Sequence, residues 1–505
     1  MRSKVDAIPS IAPALRERLI TVYPYIVEGA AHLDFAELET HEIIRELAQS
    51  CAATQKHSTA WLLLVAIAGN FPTADDVLEL LGRLSVSGVE GAYLAVLEGT
   101  LPLAANSRFL NVGIDILDKT TVVDVNFTAQ NGLNTGVQRV IRQTMTRWNN
   151  TFDHQLVVWT DNGKAMRLLT DREKQRVLEW DSSMRFELSE MGDEQITRIA
   201  IPWRSKVIVP EVAIHGVIPA MSALAAYSGN QLALVGHDAI PVLSPEDVLP
   251  EESERFAHFL SVVKYATDIV CVSHSAAKEF SGFGQTLSSQ GLQSPRVDVV
   301  PLPAGKITRE NNIHTRLKRK KPELPLVLNV GSQEPRKNQT SILVAADLLW
   351  REGLDFELIF IGSGSPPLST AFDLSVESLQ KRGLPVSVMR HASDSELAEA
   401  YEEATLSVFV SLHEGFGLPV AESLAHDTPV VTSDFGSVAE IASDGGCLTV
   451  NPRDPEDIAA AMRELLTNTQ LRTQLLHDIS RRPVRTWDDY ASELWEKLGG
   501  VSQND

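Results

Sequence analysis

Apolar residues recur along the chain with two different periods, and the period changes near residue 105. Over 34–47, Phe35, Leu38, Ile43, Ile44 and Leu47 follow a helical stripe. Thr73 suits a helix N-cap before the run 74–84, where Val77, Leu78, Leu80 and Leu81 point inward. Little before residue 106 alternates as a strand does, so 1–105 reads as an all-helical N-terminal extension used for packing or oligomerisation.

Short β-branched and aromatic runs then alternate with helical ones. Runs at 120–127, 155–159, 206–209, 231–235, 268–272 and 297–300 predict strands; a polar loop over 128–135 and a helix over 136–148 follow the first. Alternating βα units predict a mostly parallel sheet covered on both faces. The pattern breaks at 306–325, where Arg316, Lys318, Arg319, Lys320 and Lys321 precede Pro322 and Pro325. That composition reads as an interdomain linker, or as a basic contact for an anionic lipid surface. Strands resume at 326–331, 356–361, 386–389, 406–410, 429–432 and 447–450. The expectation is an α/β fold with units at 106–310 and 311–482. A tail at 483–505 carries Trp487, Tyr490, Leu494, Trp495 and Leu498 at helical spacing.

Bulk properties narrow the picture. A chain of 505 residues exceeds one core. A net charge of −21 argues against nucleic acid as a partner, because phosphate backbones select basic faces. Cys51, Cys271 and Cys447 are too few and scattered for a disulfide framework or metal cluster, and read as reduced thiols. The first residues lead into no signal-peptide pattern. The longest apolar run, 61–68, falls far short of the ~20 residues a membrane span needs, and reads as the wall of a helical core. A cytoplasmic protein, at most peripheral at the inner face of a membrane, is expected.

The most informative segment is 411–423. Glu414 and Glu422 flank Gly415-Phe416-Gly417-Leu418-Pro419, with seven residues between the two carboxylates. A predicted strand precedes them, and Pro419 suits the first turn of a helix, which puts Glu422 in that turn and Glu414 in the loop before it. Open α/β sheets bind ligands at such carboxyl strand ends. Free amides of the Gly-rich turn suit a phosphate or hydroxyl, and two carboxylates suit a polyol, so a nucleotide-sugar fits both. Gly331 closes the first strand of the same unit, and Arg336 and Lys337 follow at the expected start of the next helix. Two cations beside a helix N-terminus suit a diphosphate.

These motifs resemble the donor site of retaining glycosyltransferases of family 4 (group 1), which have the GT-B fold: two Rossmann-like domains facing a cleft. The resemblance covers roughly 106–498 and leaves out the N-terminal extension. It implies that Arg336 and Lys337 contact the donor diphosphate. It further implies that Glu422 accepts from the ribose diol and Glu414 from hydroxyls of the transferred sugar. Gly331, Gly415, Phe416, Gly417, Leu418 and Gly136 complete the donor contacts. In the first unit, His237 in His-Asp-x-Ile-Pro is similar to a family histidine near the transferred sugar, a catalytic candidate that would hydrogen-bond a sugar hydroxyl or stabilise developing positive charge through its backbone carbonyl, with Asp238 orienting it or binding acceptor. Ser273 matches a cleft-lining position. Arg139 and Arg142 follow Gly136 in a Thr-Gly-x-Gln-Arg-Val string that resembles enzymes of bacterial surface-polysaccharide assembly, and touch donor phosphate or acceptor. Gly362-Ser363-Gly364 is expected to approach the nucleotide. The string 434–440 resembles a Gly-x-Pro-Glu turn with Ala439 in place of Pro. The tail resembles the helix that crosses back to the first domain.

No Asp-x-Asp of the metal-dependent type stands at a strand end, and Asp75-Asp76 and Asp488-Asp489 read as solvated pairs. No metal and no cofactor are therefore expected beyond the nucleotide-sugar as co-substrate, with Arg336 and Lys337 stabilising the leaving diphosphate. The His-Asp and Thr-Gly strings resemble mannosyl-type transferases of surface-polysaccharide assembly, and that resemblance implies GDP-mannose ahead of UDP- or dTDP-sugars, with a glycan or lipid-linked glycan as acceptor. Other GT-B chemistry (an epimerase or phosphorylase) and a non-catalytic scaffold are the alternatives. Neither oligomeric state nor linkage is encoded in these motifs.

Overall fold

A computed structural model describes residues 8–29, 35–185, 187, 196–303, 305–307, 317 and 319–499. Four helices open the chain, Ile8–Ile26, Thr40–Thr54, His57–Ala68 and Ala74–Ala105. They do not form a separate body. Leu19, Leu47, Trp61 and Leu80 share one continuous core with Ile114, Val122, Trp159 and Ile199 of the following sheet. His57–Ala68 is buried at nearly every position, so the apolar run 61–68 lies inside that core. Arg18 stitches the join: its buried guanidinium donates to Ala66 O at 2.7 Å and to Leu110 O and Val112 O at 2.8 Å each. Burial holds its pKa down at about 10.

The last of these helices runs well beyond the expected 74–84, because Gly88 departs from helical geometry and the chain resumes its helix after it. By length and composition alone this helix is apolar enough to cross a membrane, with mean hydropathy 1.3 and 33% of the stretch buried. Asp76 is not merely solvated: it closes a capping box with Thr73, as Asp489 does with Thr486, while Asp488 pairs with Arg147.

The first sheet has nine strands: β1 (Gly113–Asp118), β2 (Thr121–Asp124), β3 (Gln155–Trp159), β4 (Met166–Leu168), β5 (Arg198–Trp203), β6 (Lys206–Val209), β7 (Gln231–Gly236), β8 (Ala266–Cys271) and β9 (Arg296–Val299). Their order is β1-β5-β4-β3-β2-β6-β7-β8-β9, with β4 antiparallel to both neighbours. The pattern of apolar runs does not reveal β1, β4 and β5. β1 is an edge strand punctuated by Asp115 and Asp118, β4 is only three residues long, and β5 carries Pro202, which argues against a strand. The expected loop at 128–135 begins instead as a short helix, Asn126–Gln130, because Glu211 accepts from the amides of Phe127 (2.7 Å) and Thr128 (2.9 Å).

The second sheet contains β10 (Leu326–Val330), β11 (Glu357–Ile361), β12 (Val386–Met389), β13 (Leu406–Phe409), β14 (Val430–Ser433) and β15 (Cys447–Val450). All pairings are parallel and the order is β12-β11-β10-β13-β14-β15. This is the doubly wound order whose direction reverses between β10 and β13, where ligands bind. The expected boundary near 310 lies outside the described residues, as do Arg316 and Lys318 of the basic run. Arg319 does not face solvent: it turns inward to Glu357 at 3.0 Å, a carboxylate with no exposed surface.

The tail helix Trp487–Leu498 packs on the first unit. Trp148 Nε1 donates to Ala491 O at 2.8 Å, and the Trp495 ring stacks on Phe152 with centroids 4.4 Å apart.

Candidate active site

The loops leaving β10 and β13 meet at the reversal point of the second sheet. Pro335–Lys337 forms one turn of 3-10 helix, and Asn338 then takes a left-handed φ of 56° before the helix Gln339–Arg351 begins. Arg336 and Lys337 therefore sit in the turn ahead of the helix rather than in its first turn. Asn338 anchors that turn by donating to Val410 O and Pro452 O at 3.1 and 2.6 Å.

Glu414 collects both cations. Lys337 Nζ lies 2.5 Å from Oε1 and Arg336 Nη1 3.1 Å from Oε2, and Ser411 Oγ donates to Oε1 at 2.7 Å. Burial pushes this carboxyl upward, but Lys337 and Arg336 outweigh it and hold the pKa at about 2. Burial lowers the Lys337 pKa against the pull of Glu414. The Arg336 pKa is raised: its burial is outweighed by Glu414, Glu334 and Asp238 together. The cationic pair is thus carried by an internal carboxylate.

Glu422 stands one turn deeper than its spacing from Pro419 suggests. The helix is Leu418–Ala425 with Gly417, at φ 107°, as its N-cap, so Glu422 is the fifth helical residue. Its carboxylate is ion-paired with Arg139 from the first unit and accepts from Tyr401 Oη at 3.1 Å. Sequence spacing gives no hint of Tyr401, which is buried on the helix Asp394–Glu403.

The two units meet closely here. A Cβ on Gly415 would lie 2.2 Å from His237 O, so only glycine lets these backbones approach. Ser273 caps the helix His274–Ser289 and donates through Oγ to Gly415 O at 2.6 Å, which makes it a clasp between the units. Phe416 and Leu418 pack against the first unit's core, beside Val137. At Gly136 the nearest neighbour of an added Cβ is Leu418, at 3.3 Å. Arg142 is not on a solvated face; it is buried and donates to Arg176 O at 2.9 Å and Asn131 O at 3.0 Å.

His237 is buried with Nε2 2.8 Å from Pro210 O. Burial lowers its pKa, so the ring is neutral and donates to that carbonyl. Asp238 does not orient the ring: its Oδ1 accepts from Ile240 N at 3.2 Å, and burial raises its pKa against the pull of Arg336.

Gly331 ends β10, and a Cβ on Gly362 would lie 2.1 Å from Gly331 O. Close packing of the two strand ends thus requires Gly362. Three further cross-cleft contacts escape the motif reading. Glu279 accepts from His413 Nε2 at 2.7 Å, Ser244 Oγ lies 2.9 Å from His413 Nδ1, and Glu440 accepts from the amides of His274 (2.9 Å) and Ser275 (2.6 Å). Among the described residues no three His, Cys, Asp or Glu side chains cluster to hold a metal ion.

Part of the chain matches known proteins. Residues 311–479 match the family model "Glycosyl transferases group 1". The chain is 28% identical over 305 residues to the serotype-specific mannosyltransferase WbdA of Escherichia coli, covering 58% of this chain and 36% of WbdA. It therefore spans about a third of that relative's length. The O-antigen chain mannosyltransferase RfbU of Salmonella typhimurium is 25% identical over 268 residues, 53% of this chain and 67% of RfbU. Among solved structures, Anabaena HepE in complex with UDP and glucose superposes with a TM-score of 0.52 at 12% identity, over 75% of this chain and 99% of HepE. That likeness is one of fold, and the neighbours are GT-B glycosyltransferases. The chain carries a group 1 glycosyltransferase domain on a GT-B scaffold, and its relatives include bacterial O-antigen mannosyltransferases.

Proposed function

We propose that the protein is a retaining glycosyltransferase that moves mannose from GDP-mannose to a glycan or lipid-linked glycan during bacterial surface-polysaccharide assembly. The observation that carries this reading is the convergence of Arg336 and Lys337 on Glu414 at the reversal point of the second sheet. A diphosphate is the ligand that best competes with a carboxylate for two adjacent cations. Mannosyltransferases among the relatives support the choice of sugar.

In this scheme the diphosphate takes Arg336 and Lys337 from Glu414, whose freed carboxylate turns to the sugar hydroxyls. Glu422 exchanges Arg139 for the ribose diol. The bond from the anomeric carbon to the phosphate oxygen breaks, and the acceptor oxygen bonds to the same face. The leaving phosphate takes the acceptor's proton, and the two fixed cations stabilise its growing charge without a metal ion or further cofactor. His237, neutral and tied to Pro210, positions the cleft wall rather than moving a proton. The enzyme works in the cytoplasm, peripheral to the membrane when its acceptor is lipid-linked.

A donor screen tests the reading. GDP and GDP-mannose should raise the melting temperature of the wild type more than UDP- or dTDP-sugars do, and Arg336→Ala should abolish the shift. No shift with any nucleotide would sink it. Activity in excess EDTA and the anomeric configuration of the product, read by NMR, check metal independence and retention.

A further inference from the structure

Glu414 forms one wall of a cavity that reaches the loop after β14. This cavity of about 280 Å3 is lined with Ser275, His413, Phe435, Gly436 and Ser437 besides Glu414. Its volume falls just below the ~300 Å3 at which small-molecule sites begin, so it suits one small ring. Phe435 is 38% exposed, unusual for a phenyl ring beside buried carboxylates. Arg453 lies over one face of the ring, its guanidinium 5.5 Å from the ring centroid, and leaves the other face for a ligand. Gly436, at φ +71°, keeps the wall open: the nearest atom to an added Cβ is Ser275 Oγ, 3.9 Å away.

The polar groups around the ring are largely engaged with one another. The amide of Ser275 is already taken by Glu440, and both nitrogens of His413 are engaged by Glu279 and Ser244. Arg336, Lys337 and Ser411 already share the Glu414 carboxylate, so what the cavity offers a ligand is a flat apolar face with the hydroxyls of Ser275 and Ser437 at its edge. A neutral pyranose matches it, with its C–H face on the ring and its hydroxyls donating to oxygen.

We propose that this cavity is a saccharide subsite, in which Phe435 is the platform for one neutral pyranose of the acceptor. The inference rests on the transferase reading and adds the place where the acceptor sits.

Saturation-transfer NMR with methyl α-mannoside and an α-linked mannobiose, in the presence of GDP, tests it. Wild type should transfer saturation to the sugar C–H protons. Phe435→Ala should cut the signal by about fivefold, the worth of one aromatic contact, while Phe435→Tyr retains it. The GDP-induced melting shift should be the same in all three proteins, which shows that they are folded. An undiminished sugar signal in Phe435→Ala overturns the subsite, and so does a wild type that answers to GDP but to neither sugar. A Phe435-dependent sugar signal without any nucleotide response keeps the subsite and defeats the transferase reading instead.

Discussion

Arg139, near the start of the helix Gly136–Thr151, is ion-paired across the cleft with Glu422 on the helix Leu418–Ala425. Glu422 is almost fully buried, and Tyr401 donates to its other oxygen. The pair thus occupies the carboxylate that the proposed function assigns to the ribose diol. Arg139→Ala should lower the stability of the ligand-free protein by about 1–3 kcal/mol, because it leaves one oxygen of a buried carboxylate without its donor. The melting shift produced by GDP should become larger than in wild type, since the nucleotide no longer competes with Arg139. Thermal melts with and without GDP check this. A smaller shift would mean that Arg139 itself holds the phosphates.

Glu414 should make stability depend on acid. Its pKa of about 2 lies below the ordinary 4.5, so its contribution is complete above about pH 4.5 and is lost as pH falls toward 2. The shift corresponds to about 3 kcal/mol for the carboxyl alone. The buried Lys337, whose pKa moves down, offsets part of it. Glu414→Gln should therefore unfold with a flatter pH dependence between pH 5 and pH 3 than wild type, as read by urea titration. Parallel pH curves for the two proteins would show that the carboxylate is not held by these cations.

The elements that position this site were legible because buried parallel strands are continuous apolar runs. β10 and β13 are each predicted to within a residue from such runs, and the Gly-rich turn after β13 marks the strand end where the two units meet. Hidden were the features set by tertiary partners. Pro202 and Asp115 disguise β5 and β1, and a glycine-broken pattern conceals the length of Ala74–Ala105. The role of Glu440 is invisible locally, since its partners, the amides of His274 and Ser275, lie about 165 residues away along the chain. Arg139 was legible as a charged residue beside a Gly turn, but not as the partner of Glu422.

Gly415→Ala tests how tightly the units close. The added methyl would sit 2.2 Å from His237 O, a backbone atom that cannot rotate away. The loop must then retreat and carry Glu414 with it. Displacements of about 1 Å at reacting groups cost on the order of 100-fold in rate. The proposed transferase activity should fall by that order, while far-UV circular dichroism and the fold of each unit stay unchanged. Near-wild-type activity would show that catalysis does not need this closed backbone contact.

His413 and Glu279 should make closure of the cleft weaken with rising pH. Glu279 hydrogen-bonds the imidazole at 2.7 Å and, more than any other cause, raises its pKa above the ordinary 6.5; burial opposes this. A raised folded value means the stabilisation is fully present below pH 6.5 and is lost as pH climbs through the folded value. The groups are partly exposed, so the contact is worth about 1 kcal/mol or less. Glu279→Gln should therefore destabilise the protein at pH 6 and have a much smaller effect at pH 9. Small-angle scattering should show the wild type opening slightly over the same interval, toward the dimensions of the variant. An equal penalty at both pH values would show that Glu279 acts mainly through the Ala239 amide, which it accepts at 2.7 Å, rather than through the imidazolium.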